Sequence, residues 1–305
     1  MLIGPVPTSL VRALAEPAGT DRLILFGTRL PRIVLGAVVG GSLGASGAAL
    51  QALLANPLAC PHLLGISGGA AVGGVIALIV GAEAISAVVP LAAFAGALVA
   101  IGVVYLGARA GGRSTPLALL LVGVVFNVLA SAVIMLLNAV ASYAQAHGVL
   151  FWLMGSLSGQ SWGLIAAAAA YALAGLAWLA AHAQDLNLLA AGEEGAAELG
   201  VDVERARRAV FVAASLLVGA AVSVSGMISF VGLIVPHLVR LVFGADHRLL
   251  LPASFLGGAA FLVWADTLAR TALAPAELPV GVVTALVGGP VFLFLLRRAL
   301  VREAS

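Results

Sequence analysis

The chain has 305 residues, of which 62% are hydrophobic and 9% charged, with a formal net charge of +2. Soluble globular chains carry about 45–50% apolar and about 25% charged residues, so an integral membrane protein built mainly of helices is implied, with no soluble domain visible. All 15 basic residues are arginine: without lysine the chain cannot carry a nucleotide-binding P-loop, and its single cysteine, Cys60, excludes an internal disulfide and a multi-cysteine metal site.

Residues 1–28 are mixed. Pro5, Pro7, Arg12, Glu16, Pro17, Asp21 and Arg22 leave no apolar run long enough to span, and no signal-peptide pattern is present. After RLPR, Arg29–Arg32, the chain becomes apolar. A bilayer core needs roughly 20 apolar residues in a helix. Nine runs are candidate spans: 33–54, 63–81, 85–107, 116–140, 162–183, 208–225, 228–243, 249–269 and 280–297. The seventh contains His237 and Arg240, and Pro236 is expected to break it. Gly36, Gly40, Gly44 and Gly47 form a small-residue stripe on the first span, which suits close helix packing in lipid.

The stretch 185–208, DLNLLAAGEEGAAELGVDVERARR, holds nine of the chain's 28 charged residues and must lie in water. Arginine bias orients the bundle. With this platform in the cytoplasm, Arg109, Arg113, Arg240, Arg248, Arg297, Arg298 and Arg302 also fall inside, and Arg270 alone falls outside after the first span. The outer loop with Glu83 and the connection 142–161 carry no arginine. The C-terminus is then cytoplasmic. Nine spans place the N-terminus outside with Arg12, Arg22, Arg29 and Arg32, an unfavourable arrangement that one further span upstream would reverse. Within the platform, Gly192 and Gly200 bracket EEGAAEL, a short helix with acids in its first turn. Asp202 is suited to cap a second short helix, VERARR. The platform is either a shaped docking surface or a charged loop that keeps the bundle soluble and oriented.

Other constellations keep two readings. Asn56–Gly65, NPLACPHLLG, is a turn or a constriction at a pore exit. Arg29 and Arg32, one helical turn apart, and Arg270 either snorkel or present charge to an acidic partner. Asp266 and Arg270 are spaced to pair with each other. Ser142, Tyr143 and residues 147–152 suit a pore for a large flat ligand or an interfacial aromatic belt. His237 reads as structural, and no nucleophile, carboxylate pair or phosphate cradle supports an enzyme.

The motifs RLPR (29–32), GASGAALQALLANPLACPHLLGISGGAAVG (44–73), FWLMGS (151–156), LAAGEEGAAELGV (189–201), SGMISFVGLIVPHLVRLVFGADHRLLLP (225–252) and ADTLARTALAPAELPVGVVTALVGGP (265–290) occur in one order. With them the chain resembles the permease subunits of bacterial ATP-binding-cassette importers for cobalamin, ferric siderophores and haem. The resemblance implies an all-α polytopic type II importer permease in the bacterial inner membrane, with a single permease domain at 29–305 and coupling helices near 189–208. It implies a homodimer, two cytoplasmic ATPase subunits that hold ATP and Mg²⁺, and a periplasmic substrate-binding protein. By the same resemblance the permease itself would hold no cofactor or metal, perform no covalent chemistry and bind no nucleic acid. By position, Gly192, Glu193, Glu194, Ala197, Leu199 and Gly200 would contact the ATPase. Arg29, Arg32 and Arg270 would meet the binding protein, Asn56 and Leu58 would form the inner gate, and Ser142 and Tyr143 would lie near the outer gate. The family has a helix before RLPR that is not found here, so either the start lies upstream or the chain works with nine spans. The family commonly has an acid where Cys60 stands, and Cys60 is read as packing. FWLMGSLSGQSW and the 265–290 stretch look closest to haem permeases, with ferric siderophore and cobalamin as alternatives. A secondary transporter or channel is the rival reading, and Asp266 is its one candidate coupling group.

Overall fold

The computed structural model describes residues 4, 6–16, 18–81, 87–110 and 113–303. Pro5, Pro17 and Glu83 lie outside the described residues, as do the side chains of Arg113, Arg298 and Arg302. The helices are α1 (Leu10–Ala15), α2 (Thr20–Arg22), α3 (Leu30–Leu53), α4 (Ile66–Ile79), α5 (Val88–Gly107), α6 (Pro116–Val140), α7 (Tyr143–Leu153), α8 (Trp162–Ala181), α9 (Ala183–Ala191), α10 (Glu193–Glu198), α11 (Val203–Ser225), α12 (Val231–Phe243), α13 (His247–Thr271) and α14 (Val280–Glu303). A two-residue ladder, β1 (Arg109–Ala110) with β2 (Arg113–Ser114), turns the chain between α5 and α6.

All nine apolar runs form helices. Among the described residues, six helical segments are long and apolar enough to cross a membrane, while Ile66–Ile79, Val231–Phe243 and Val280–Phe294 are shorter. The first span starts earlier than the sequence suggests. α2, a π-helical turn over Leu23–Arg29 and α3 run on as one helix, Thr20–Leu53, so RLPR lies inside it. The second run is shortened because Gly65, at φ +81°, separates a 3₁₀ turn over Pro61–Leu64 from α4.

Pro236 does not break α12. Proline removes the hydrogen bond that would reach the carbonyl four residues back, here Gly232. The Gln51 amide from α3 donates to Gly232 O at 3.5 Å and to Leu233 O at 3.3 Å, so the freed end of the ladder has a partner. Arg240 Nη2 in turn donates to Gln51 Oε1 at 3.2 Å, which holds the amide in that orientation.

α3 is the axis of the bundle. Every residue from Val39 to Leu53 is buried, against α11, α12, α13 and α8. Lipid supplies no hydrophobic force between helices, so contact depends on how closely the backbones approach. A Cβ on Gly40 would collide with Gly258 O, one on Gly44 with Ser254 O, and one on Gly47 with Gly232 O. Gly36 is less constrained: its nearest neighbour would be a leucine methyl, Leu157 Cδ1, at 3.2 Å. α6 sits at the periphery and exposes Leu117, Leu121, Val125, Val128, Leu129, Met135 and Leu136, a face suited to lipid.

This packing predicts different outcomes for one substitution. Gly44→Ala and Gly47→Ala should each destabilise by about 1–3 kcal/mol, the range for overpacking, because a main-chain carbonyl cannot rotate away. Gly36→Ala should be close to neutral. Thermal unfolding of the three variants in one detergent checks this.

Candidate functional site

Helix α13 joins two polar clusters at opposite ends of the bundle. At the first, Arg29, Arg32 and Arg270 are only 4%, 6% and 4% exposed. Arg32 Nε donates to Asp266 Oδ1 at 2.8 Å and its Nη1 reaches Glu277 Oε2 at 2.7 Å. Arg270 Nε donates to the other Asp266 oxygen, Oδ2, at 3.0 Å. Arg29 Nη1 donates to Thr8 Oγ1 at 2.8 Å and its Nη2 to Val6 O, so the segment before α1 covers it. The sequence places these arginines as an exposed outer charge. The structure brings the three together but buries them, because Asp266 and the N-terminal segment supply the partners that such burial demands. The expected Asp266–Arg270 pair is present, and Arg32, 234 positions away from Asp266, shares its carboxylate.

The second cluster is the polar platform. α10 has Glu193 and Glu194 in its first turn, between Gly192 at φ +134° and Gly200 at φ +88°. Ala196 packs with Leu189 and Ala206, while Glu193, Glu194, Ala197, Leu199 and Gly200 are exposed. The second short helix expected over VERARR is instead the opening of α11. Asp202 caps it, Oδ1 accepting from Arg205 N at 3.0 Å, but no glycine or proline stops the helix before Ser225.

Arg207 holds the platform to the bundle. It is buried, its Nη1 donates to the Ser114 carbonyl, and it pairs with Glu193 and with Glu204, the latter at 3.2 Å. Glu204 also accepts from Ser114 N at 3.2 Å, Ser114 Oγ at 3.0 Å and Tyr105 OH at 3.3 Å. One arginine and one glutamate thus tie α10 and α11 to the α5–α6 turn. On the other flank Asn187 binds Asp246 and His247, and Arg248 Nη2 donates to Gln184 Oε1 at 2.8 Å. Asp246 is held below the usual carboxylate range, first by the Asn187 hydrogen bond and then by the Arg248 N–H. Sequence reading missed Glu204, Arg207 and Asn187 as contacts, although all three lie in the platform stretch.

Asn56 Oδ1 accepts from Leu58 N at 2.9 Å and fixes the loop after α3, where Leu58 is exposed and Ala55 adopts φ +44°. Beyond it, His62 Nε2 donates to Ile228 O at 2.9 Å, and burial pushes its imidazole pKa down. Burial likewise pushes the Cys60 thiol up. Ser142 caps α7 in a capping box with Gln145, whose Nε2 anchors to Ile79 O at 2.6 Å. Tyr143 is 89% exposed beside His147. A cleft of about 1080 Å³ lies between α8 and α11, lined by Tyr171, Trp178 and Leu216, with Asp202, Arg205 and Arg208 near the platform. Among the described residues no group of three or more His, Cys, Asp or Glu could hold a metal ion.

The FecCD transport family matches residues 1–298. The chain belongs to that family. It is 50% identical over 284 residues to the cobalamin import system permease protein BtuC of Halobacterium salinarum, covering 93% of this chain and 76% of that one. It is 43% identical over 274 residues to the hemin transport system permease protein HmuU of Yersinia pestis, covering 88% and 82%. A solved structure of a metal-chelate type ABC transporter in an inward-facing conformation superposes with a TM-score of 0.84 at 33% identity, covering 91% of this chain and 88% of that one. This FecCD-family chain is therefore a polytopic membrane permease.

The arginine end gives a direct test. Asp266→Ala leaves two buried guanidiniums without their carboxylate and should destabilise the permease by about 3–5 kcal/mol. Glu277 is half-exposed, and Glu277→Gln should cost less than about 1 kcal/mol. Unfolding of both variants in detergent measures the difference.

Proposed function

We propose that this permease is the membrane subunit of an ATP-driven importer for a metal-bearing macrocycle. Two copies enclose the path, two cytoplasmic ATPase subunits dock on α10 and the turn after it, and a soluble binding protein delivers cargo at the arginine end. The platform carries this reading: a short helix with exposed Glu193, Glu194, Ala197 and Leu199, held to the bundle on both flanks. Such a surface can accept force from a partner and pass it on. The lack of lysine leaves ATP binding to that partner. In this reading Asn56 and Leu58 close the path near the platform, and Ser142 and Tyr143 flank its other end. The buried arginines support a rigid seat beneath the binding protein, with half-exposed Glu277 at its surface.

The cargo class is supported by similarity to a permease named for cobalamin and to one named for hemin. The preference for haem read from FWLMGSLSGQSW has no advantage over cobalamin on these grounds, and both are carried forward. The secondary-transporter reading is disfavoured by the commitment of Asp266 to two guanidiniums.

Uptake of cyanocobalamin and of hemin into vesicles decides the matter. Permease with its ATPase, the binding protein and ATP should accumulate one of them. Replacing residues 193–199 by a Gly/Ser linker should lower uptake by roughly tenfold or more, within the usual range of coupling between sites. Full-rate uptake by permease alone, without ATP, would contradict the importer reading.

A further inference from the structure

Asn187 lies on α9, six positions before Glu193, the first residue of α10. Its amide grips the start of α13. Nδ2 donates to Asp246 Oδ1 at 2.8 Å, and Oδ1 accepts from the His247 backbone N at 2.8 Å and from His247 Nδ1 at 2.8 Å. The partners fix each orientation. A carboxylate only accepts, so the amide nitrogen faces Asp246; the amide oxygen only accepts, so His247 carries its proton on Nδ1. Asp246 is the N-cap of α13, accepting from Arg248 N at 3.0 Å. Asn187 therefore holds a helix terminus rather than a loose loop. His247 is 3% exposed and its Nε2 has no protein partner, so Asn187 is what positions the ring.

What α13 carries makes this contact consequential. The helix has 25 residues, roughly 37 Å at 1.5 Å per residue. Its far end holds Asp266 and Arg270, and its middle meets α3 where Gly258 and Ser254 oppose Gly40 and Gly44. The loop at Asn56 is coupled differently. A cavity of about 550 Å³, walled by Asn56, Pro57, Asn187, Arg240 and His247, stands between it and the Asn187 contact. The platform is fastened to α13 and has room to move against the loop.

We propose that Asn187 is a positioning residue for transport: movement of the platform enters α13 through it, and passes along the α3–α13 pair to the arginine end. This rests on the reading that an ATPase docks on the platform.

The test uses the full-length permease with its ATPase and the binding protein in vesicles, recording ATP hydrolysis and uptake of radiolabelled cyanocobalamin and hemin in parallel. Asn187→Asp sets two carboxylates against each other and removes the donor. Combining it with Asp246→Asn removes that repulsion and lets the new amide nitrogen at position 246 donate to the carboxylate at position 187, with the amide oxygen turned to the Arg248 N–H that Asp246 Oδ1 accepts in the wild type. Asn187→Asp should leave ATPase binding intact while uptake per ATP falls roughly tenfold. The double variant should recover most of that ratio, a coupling that a cycle of single and double variants isolates. If Asn187→Asp does not assemble, Asn187→Ala, which removes the bonds without repulsion, should show the same fall. Wild-type uptake per ATP in the single variant, or a double variant as defective as Asn187→Asp, would overturn the assignment. The wild-type arm stands apart: uptake independent of ATP there would sink the importer reading itself.

Discussion

Asp266 accepts a guanidinium on each of its two oxygens, and the packing of the bundle depends on that arrangement. Arg32 comes from the central helix and Arg270 from the helix packed against it. Neither cation could be buried alone, since an uncompensated charge in such a setting costs several kcal/mol. The carboxylate makes both tolerable and fixes the register of α3 against α13. Below it the glycines of α3 let the two backbones approach to a distance that side chains would prevent. Electrostatics sets the register at one end, and the absence of side chains maintains it along the seam.

The platform end solves the complementary problem. There a polar segment must stand in water yet stay joined to an apolar body. Arg207 is buried beneath it and takes two carboxylates and the Ser114 carbonyl. Asn187 secures the opposite flank through uncharged hydrogen bonds and one carboxylate. The exposed surface of α10 is mostly small or acidic, with Leu199 as its large apolar side chain. A surface held on two sides moves as a piece, and movement of a piece can reach helices that the partner never touches.

Much of this was legible in the sequence because it is local. Among the described residues each apolar run lies on a helix, glycines at 192 and 200 bounded α10, and Asp202 capped the helix that begins at Val203. The errors have physical causes too, one local and the others distant. VERARR reads as a short helix because polarity changes at Ala209, but polarity is not a stop signal and nothing there ends α11. Pro236 reads as a break because its remedy, Gln51, lies 185 positions earlier. The arginines read as exposed because their compensation is distant: Arg32 and Asp266 are 234 positions apart, Asn187 and Asp246 are 59. No periodicity encodes such pairs. Nothing in the local pattern around Arg29, Arg32 and Arg270 signals that all three are buried.

The central claim is that α3 and α13 behave as one rigid unit, locked at Asp266 and moved from the platform. Cys60 is the only native cysteine, so Cys60→Ser gives a clean background for spin labels at Thr28 and Leu273, near the locked ends of the two helices. With labelled permease diluted by unlabelled copies so that each complex carries one labelled subunit, their distance distribution, measured by pulsed electron paramagnetic resonance in the ATPase complex, should be single and unchanged between nucleotide-free and ATP-bound states. A shift of more than about 2 Å, beyond the small helix displacements that packed interfaces accommodate, would show the helices sliding past each other and contradict the account.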